Sequence, residues 1–232
     1  MKKVLLVAPV LSRSGYGEMG RFALRSMLMN PEVDLYLHNI NWGKSGWIYK
    51  DDDERRIIDS MLQKTVLYQQ NGGQFDASVQ CTIPNEWQQL APYNVGYTAG
   101  IETDRVAPEW LTKGNIMDKI ITISKHSKNV YQGTSYEATN TQTGELIKNY
   151  KCNTDISYVG FPVRDIEAES LDLNLRHDFN FLCVSQLGPR KNVDAVLNNF
   201  IEEFKNEDVG LLFKVHGAND SIMDYYRTKE IF

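Results

Sequence analysis

The stretch Lys3-Val4-Leu5-Leu6-Val7-Ala8-Pro9-Val10, followed at once by Leu11-Ser12-Arg13-Ser14-Gly15-Tyr16-Gly17-Glu18-Met19-Gly20, decides how this chain is read. Its first half is a short, nearly continuous apolar run, the pattern of a strand buried on both faces. Its second half, Ser12–Gly20, reads as a glycine-rich loop. Met19, Phe22, Ala23 and Met27 then recur at helical spacing until Asn30-Pro31 stops the helix. Gly15, Gly17 and Gly20 satisfy G-x-G-x-x-G between a strand and a helix, the context of a dinucleotide-binding turn. Glycines there let backbone N–H groups approach a phosphate at the positive end of a helix. Leu11–Ser14 lengthen the loop beyond the tight form, however. The next predicted strand, Asp34–Ile40, ends His38-Asn39-Ile40-Asn41, without the acid that holds a nicotinamide dinucleotide's ribose. Three readings stay open from the residues alone: a phosphate- or sugar-facing loop, a tight loop with no ligand, and an NAD turn.

Outward from this stretch, strands and helices alternate. Asp51-Asp52-Asp53-Glu54 opens a helix carrying Ile57, Ile58, Met61 and Leu62, its acids suited to the positive end of the helix dipole. Strands are expected at Val66–Gln69, Ala77–Ile83, Asn94–Ala99, Lys119–Ile123 and Asp155–Val159. Short helices are expected from Pro108 and, capped by Ser124, over Lys125–Gln132. Tyr136–Tyr150 reads as a hairpin around Thr141-Gln142-Thr143-Gly144. Asp165–Asp178 is charged and without period, a linker. Beyond it come strand Phe179–Ser185, helix Val193–Phe204, strand Val209–Val215 and a last helix Asp220–Phe232. Alternation on both sides of a linker argues for an α/β fold with parallel sheets. The expected division is residues 1–164, a linker 165–178, and a second unit 179–232. That second unit is too small to bury both faces of a parallel sheet, so the chain is expected to be truncated at its C-terminus.

Composition narrows the function. The chain has 232 residues, 30 acidic against 25 basic, for a net charge of −5. That balance disfavours a nucleic-acid partner. No apolar run reaches membrane-spanning length, and the N-terminal run is too short for a signal peptide. Cys81, Cys152 and Cys183 are scattered and odd in number, as expected of a reduced, cytoplasmic chain. The four histidines show no zinc spacing.

A second phosphate candidate lies at Ser185-Gln186-Leu187-Gly188-Pro189-Arg190-Lys191-Asn192, between a strand and a helix. In open α/β sheets ligands bind outside the carboxyl ends of strands, so Arg190 and Lys191 are placed to neutralise a diphosphate. Asn192 is a candidate cap for the helix that follows. A basic surface turn is the alternative reading. Trp42 and Trp47 are candidates to stack on a sugar or, alternatively, to fill a core; Asn85-Glu86-Trp87 is similarly ambiguous.

Taken together the chain resembles glycosyltransferase family 4, of GT-B architecture, over nearly its full length. The similarity rests on the strand and glycine loop and on Glu102-Thr103-Asp104-Arg105-Val106-Ala107-Pro108-Glu109-Trp110. It rests also on Met117–Ser124 and on Phe181–Asn192 with Phe200–Phe204 behind it. The resemblance implies two Rossmann-like domains, an acceptor-side one and the start of a nucleotide-sugar one. It implies sugar transfer from a nucleotide-sugar donor to an acceptor hydroxyl, with retained configuration and without a bound metal or other cofactor. Lys191, with Arg190, would hold the donor diphosphate, and Gly15 and Gly17 would form the loop near the same phosphates. Glu102 and Asp104 would face the reacting sugar. On such an enzyme the sugar that Trp42 and Trp47 are candidates to stack on would be the acceptor glycan. Where many members carry a further arginine, this chain has Gln186. Members normally continue past this length, with base and ribose contacts and a pair of spaced glutamates. The alternatives are a non-catalytic sugar- or nucleotide-binding half, completed by a separate chain, and an NAD-dependent oxidoreductase.

Overall fold

A computed structural model describes residues 1–140, 142–163, 168–217 and 221–231. Thr141 of the expected turn, residues 164–167 at the expected boundary, and Asp220 and Phe232 at the ends of the last expected helix lie outside these. The chain divides into two compact units, one of Met1–Trp42 and Trp47–Val163, the other of Gly43–Gly46 and Arg164–Phe232.

The first unit runs β1 (Lys2–Ala8), α1 (Gly15–Leu28), β2 (Val33–Asn39), α2 (Asp53–Gln70), β3 (Ala77–Cys81), β4 (Tyr93–Thr98), α3 (Pro108–Gly114), β5 (Lys119–Thr122), α4 (Lys125–Gly133), β6 (Ser135–Thr139), β7 (Leu146–Lys151) and β8 (Ile156–Tyr158). Six strands form one parallel sheet in the order β2-β1-β3-β4-β5-β8, a Rossmann-like arrangement. Strands β6 and β7 pair antiparallel as a separate hairpin.

Side chains alternate between the two faces of the sheet, as the strand period requires. Val4, Leu6 and Ala8 point to one face, where they pack with Met19, Ala23 and Leu24 of α1 and Ile58 and Met61 of α2. Leu5, Val7 and Tyr36 point to the other. On that second face Ile120 and Ile156 meet Leu111 of α3 and Val130 and Tyr131 of α4. Between β3 and β4 the chain makes no α-helix. Thr82–Pro92 carries only a 3₁₀ turn, Pro84–Glu86, so the second face over β1 and β3 is left without a helical cover.

Buried amides hold that connection instead. The Gln80 side chain accepts from the Gln88 N–H at 2.9 Å and donates to the Gln88 carbonyl at 2.6 Å. Asn94 Oδ1 accepts the N–H groups of Leu90 and Ala91 and the Ser78 hydroxyl. Trp87 is fully buried, its indole donating to the Gln80 carbonyl and its ring lying where a Cβ on Gly96 would sit. Trp87 is therefore a core residue, and the structure gives it no sugar-facing surface.

Three local expectations are corrected. Val66–Gln69 is the last turn of α2, not a strand. Thr65, four residues after buried Met61, donates to the Met61 carbonyl and accepts the Leu37 N–H of edge strand β2, so the helix continues and seals that edge. The glycine stretch is not a loop to Gly20, because α1 already starts at Gly15. Asn192 does not cap with its side chain; it adopts a left-handed backbone conformation, φ 48°.

The second unit holds β9 (Asn180–Gln186), α5 (Val193–Phe204), β10 (Gly210–His216) and α6 (Ile222–Ile231), with β9 and β10 parallel in a two-stranded sheet. Phe181 packs on Phe200 and Phe204 of α5 with ring centres 5.9 and 5.1 Å apart. Leu182 and Val184 on the same strand are 63% and 64% exposed.

Candidate functional site

The carboxyl ends of β1 and β4 gather most of the singled-out residues of the first unit. Ser14 caps α1, its hydroxyl accepting the Gly17 N–H at 3.0 Å and the Ser12 hydroxyl at 2.8 Å. The next amide, on Glu18, donates to the Ser14 carbonyl. The N–H groups of Gly15 and Tyr16 have no acceptor among the described residues, which leaves two donors at the positive end of a 14-residue helix.

The three glycines do different work. A Cβ on Gly17 would lie 2.0 Å from the Ser12 carbonyl oxygen, and one on Gly20 2.8 Å from the Ala8 Cβ. Gly17 thus lets the turn fold onto itself, and Gly20 lets α1 sit tightly on β1. A Cβ on Gly15 would meet nothing within 4 Å. Beneath the turn lies Arg21, 3% exposed, a residue that the sequence reading passed over. Its guanidinium donates to the Val10 carbonyl at 2.6 Å and the Ser12 carbonyl at 2.9 Å, and pairs with Glu18 at 2.5 Å. The only sequence signal was its position one turn after Gly17.

Tyr16 ties this turn to the end of β4. Its hydroxyl donates to the Ala99 carbonyl at 2.9 Å, accepts the Ala99 N–H at 3.1 Å, and lies 2.9 Å from the Thr98 hydroxyl. Burial pushes the phenol above its ordinary pKa. Its ring meets that of Trp42 at 4.4 Å. Trp47, 51% exposed, forms an isolated antiparallel bridge with Ser12.

Just past Ala99 the chain turns at Gly100, φ +78°, and enters an exposed loop that carries Glu102 and Asp104. Buried Ile101 and Val106 stake the loop at either end. The Val106 N–H donates to the Thr134 hydroxyl, and the Val106 carbonyl accepts from Tyr136. The Arg105 guanidinium lies over the Tyr136 ring at 5.8 Å.

Arg190 and Lys191 belong to the other unit. There they are exposed, on a 3₁₀ turn (Pro189–Lys191) between the carboxyl end of β9 and the start of α5. The Lys191 N–H donates to the Gly188 carbonyl at 3.0 Å, and Leu187 donates to the His216 carbonyl. At the end of β2, where an NAD turn needs an acid, Asn39 uses its side chain to accept the Leu11 N–H at 3.1 Å.

Among the described residues no three His, Cys, Asp or Glu side chains gather where they could hold a metal ion. No helix of the described residues is long and apolar enough to cross a membrane. No family model matches the chain, and no curated protein matches it.

Proposed function

We propose that this chain acts on a nucleotide-activated sugar as a retaining glycosyltransferase of the family 4 kind, moving the sugar to an acceptor hydroxyl. The observation that carries the reading is the glycine turn. Its two unpaired amides at Gly15 and Tyr16 head a helix whose turn is braced by Arg21, and Tyr16 fixes it to the strand end that leads into Glu102 and Asp104. Departure of a nucleoside diphosphate builds negative charge, and fixed N–H donors and cations stabilise it without reorganising. In this reading Glu102 orients the acceptor hydroxyl or stabilises the oxocarbenium-like sugar, and Asp104 works beside it; within the second unit, Arg190 and Lys191 are the residues suited to a diphosphate. Trp42, through the Tyr16 ring, and Trp47 flank the acceptor.

A second reading is a binding half without turnover, working with a separate chain. The exposed Leu182 and Val184 of a two-stranded parallel sheet favour it, because such a sheet is ordinarily covered on both faces. Titration with UDP-, GDP- and ADP-hexoses, together with a turnover assay, tests both. Donor binding weakened roughly tenfold or more in Lys191→Ala, as expected for a lost charge-assisted contact, supports donor recognition, and turnover then separates the first reading from the second. Absence of binding to any nucleotide sugar would sink both.

A further inference from the structure

The uncovered part of the sheet's second face holds a cavity of about 430 Å³, at the carboxyl ends of β1, β2 and β3. The register makes its floor. Val7 pairs with His38 on one side and Gln80 on the other, and Leu5 lies one pleat below. Leu5, Val7 and Ile40 give an apolar base. The wall is the Thr82–Pro92 connection, fixed by the paired hydrogen bonds of Gln80 to Gln88 and of Asn94 to Leu90 and Ala91. A wall tied from beneath by buried amides is already in place before any ligand arrives.

Around the base stand His38, Asn41, Gln69, Glu86 and Gln88. Their side-chain polar atoms have no hydrogen-bond partner among the described residues. They come from three separate places in the chain: the end of β2, the last turn of α2, and the β3–β4 connection. No lysine or arginine lines the space, and Glu86 does. A phosphate or carboxylate ligand would therefore meet no countercharge here. An apolar base with a rim of amides, a carboxylate and an imidazole is complementary to a molecule with one apolar face and several hydroxyl groups.

We propose that this cavity binds a neutral, hydroxyl-bearing ligand with an apolar face, of the glycoside class. The binding does not depend on the transferase reading, and the occupant is uncharged.

The test is calorimetric titration of the full chain with phenyl β-D-glucopyranoside, and with glucose 1-phosphate as the anionic counterpart, with no nucleotide sugar present. The neutral glycoside is expected to bind, and the phosphate ester to bind at least several-fold more weakly. Gln69→Ala, on an exposed helical position, should weaken the glycoside about tenfold through the lost hydrogen bonds. Leu90→Trp, at a 40% exposed lining position, should block it. Unchanged melting curves would show that both variants fold. No binding, tighter binding of the phosphate ester, or affinity untouched by both variants overturns the proposal. Glycoside binding in a chain that ignores every nucleotide sugar would remove the transferase role and leave the cavity assignment standing.

Discussion

The two strand–turn–helix segments, β1 into α1 and β9 into α5, share one plan and differ in how tightly they are held. Strand β1 has a parallel neighbour on each side, and Leu6 at its centre is completely buried. Strand β9 has one neighbour, and Leu182 at its centre is mostly exposed. The first turn is closed by the Ser14 cap, the Arg21 brace and the Tyr16 bridge. The second carries backbone bonds to the Gly188 and His216 carbonyls and a left-handed Asn192. The first turn is thus preorganised by side chains of its own helix and by a contact that reaches β4.

The sharpest break between the two comes from the strand centres. Leu6→Ala should cost about 3 kcal/mol, the ordinary loss for a fully buried leucine, whereas Leu182→Ala should cost under about 1 kcal/mol. All four tryptophans, at 42, 47, 87 and 110, lie in the first unit. Urea unfolding followed by tryptophan fluorescence should therefore shift strongly for Leu6→Ala and hardly at all for Leu182→Ala. Equal shifts would mean that the units differ less in packing than their burial implies.

The glycines give the next contrast. Gly17→Ala drives a methyl into the Ser12 carbonyl and should destabilise by about 2 kcal/mol. Gly188 has extended backbone and open space, so Gly188→Ala should stay within about 0.5 kcal/mol. Chemical denaturation of the two variants side by side measures the difference.

Tyr16→Phe removes the hydroxyl that pairs with both polar groups of Ala99. It should cost about 1 kcal/mol and raise hydrogen exchange at the Ala99 amide. If that exchange stays unchanged, the first turn and the end of β4 are not coupled.

The smallest effect is electrostatic. Asp34 accepts from Lys64 at 2.5 Å and from the Tyr36 hydroxyl at 3.0 Å. The Lys64 hydrogen bond holds its carboxyl below the ordinary value of 3.8. A carboxyl with a lowered folded-state pKa binds its proton more weakly folded than unfolded. Its contribution is thus complete above that ordinary value and lost as pH falls through the folded one. Asp34→Asn should remove a few tenths of a kcal/mol at neutral pH and flatten stability against pH below 4, as read by denaturation at successive pH values.

Much of the architecture was legible because it is written in local periodicity. The alternation of Val4, Leu6 and Ala8 with Leu5 and Val7 marks a strand inside a sheet, and Asp51–Glu54 marks a helix start. Val66–Gln69 misled because its β-branched and aromatic residues mimic a strand. The bond that keeps Thr65 helical reaches Leu37, which no local window contains. The glycine turn was legible by residue type at Gly17, where a Cβ would strike the Ser12 carbonyl. Its supports were not. Tyr16 and Ala99 are 83 residues apart, and no local pattern marks Arg21 as buried. Gln80 and Asn94 sit where a polar residue in a strand suggests solvent, and they are buried. What joins distant segments is set by the assembled sheet and leaves no pattern along the chain.

The Tyr16–Ala99 bridge also bears on the order in which the molecule assembles. Contacts between distant segments form only after the loop-closure entropy between them has been met. The opening turn of α1 precedes β4 in the chain, yet its last fixings wait for β4 to join the sheet. A nascent chain that stops short of Ala99 should carry the helix without the finished turn. The finished geometry of this turn is therefore a late event in folding.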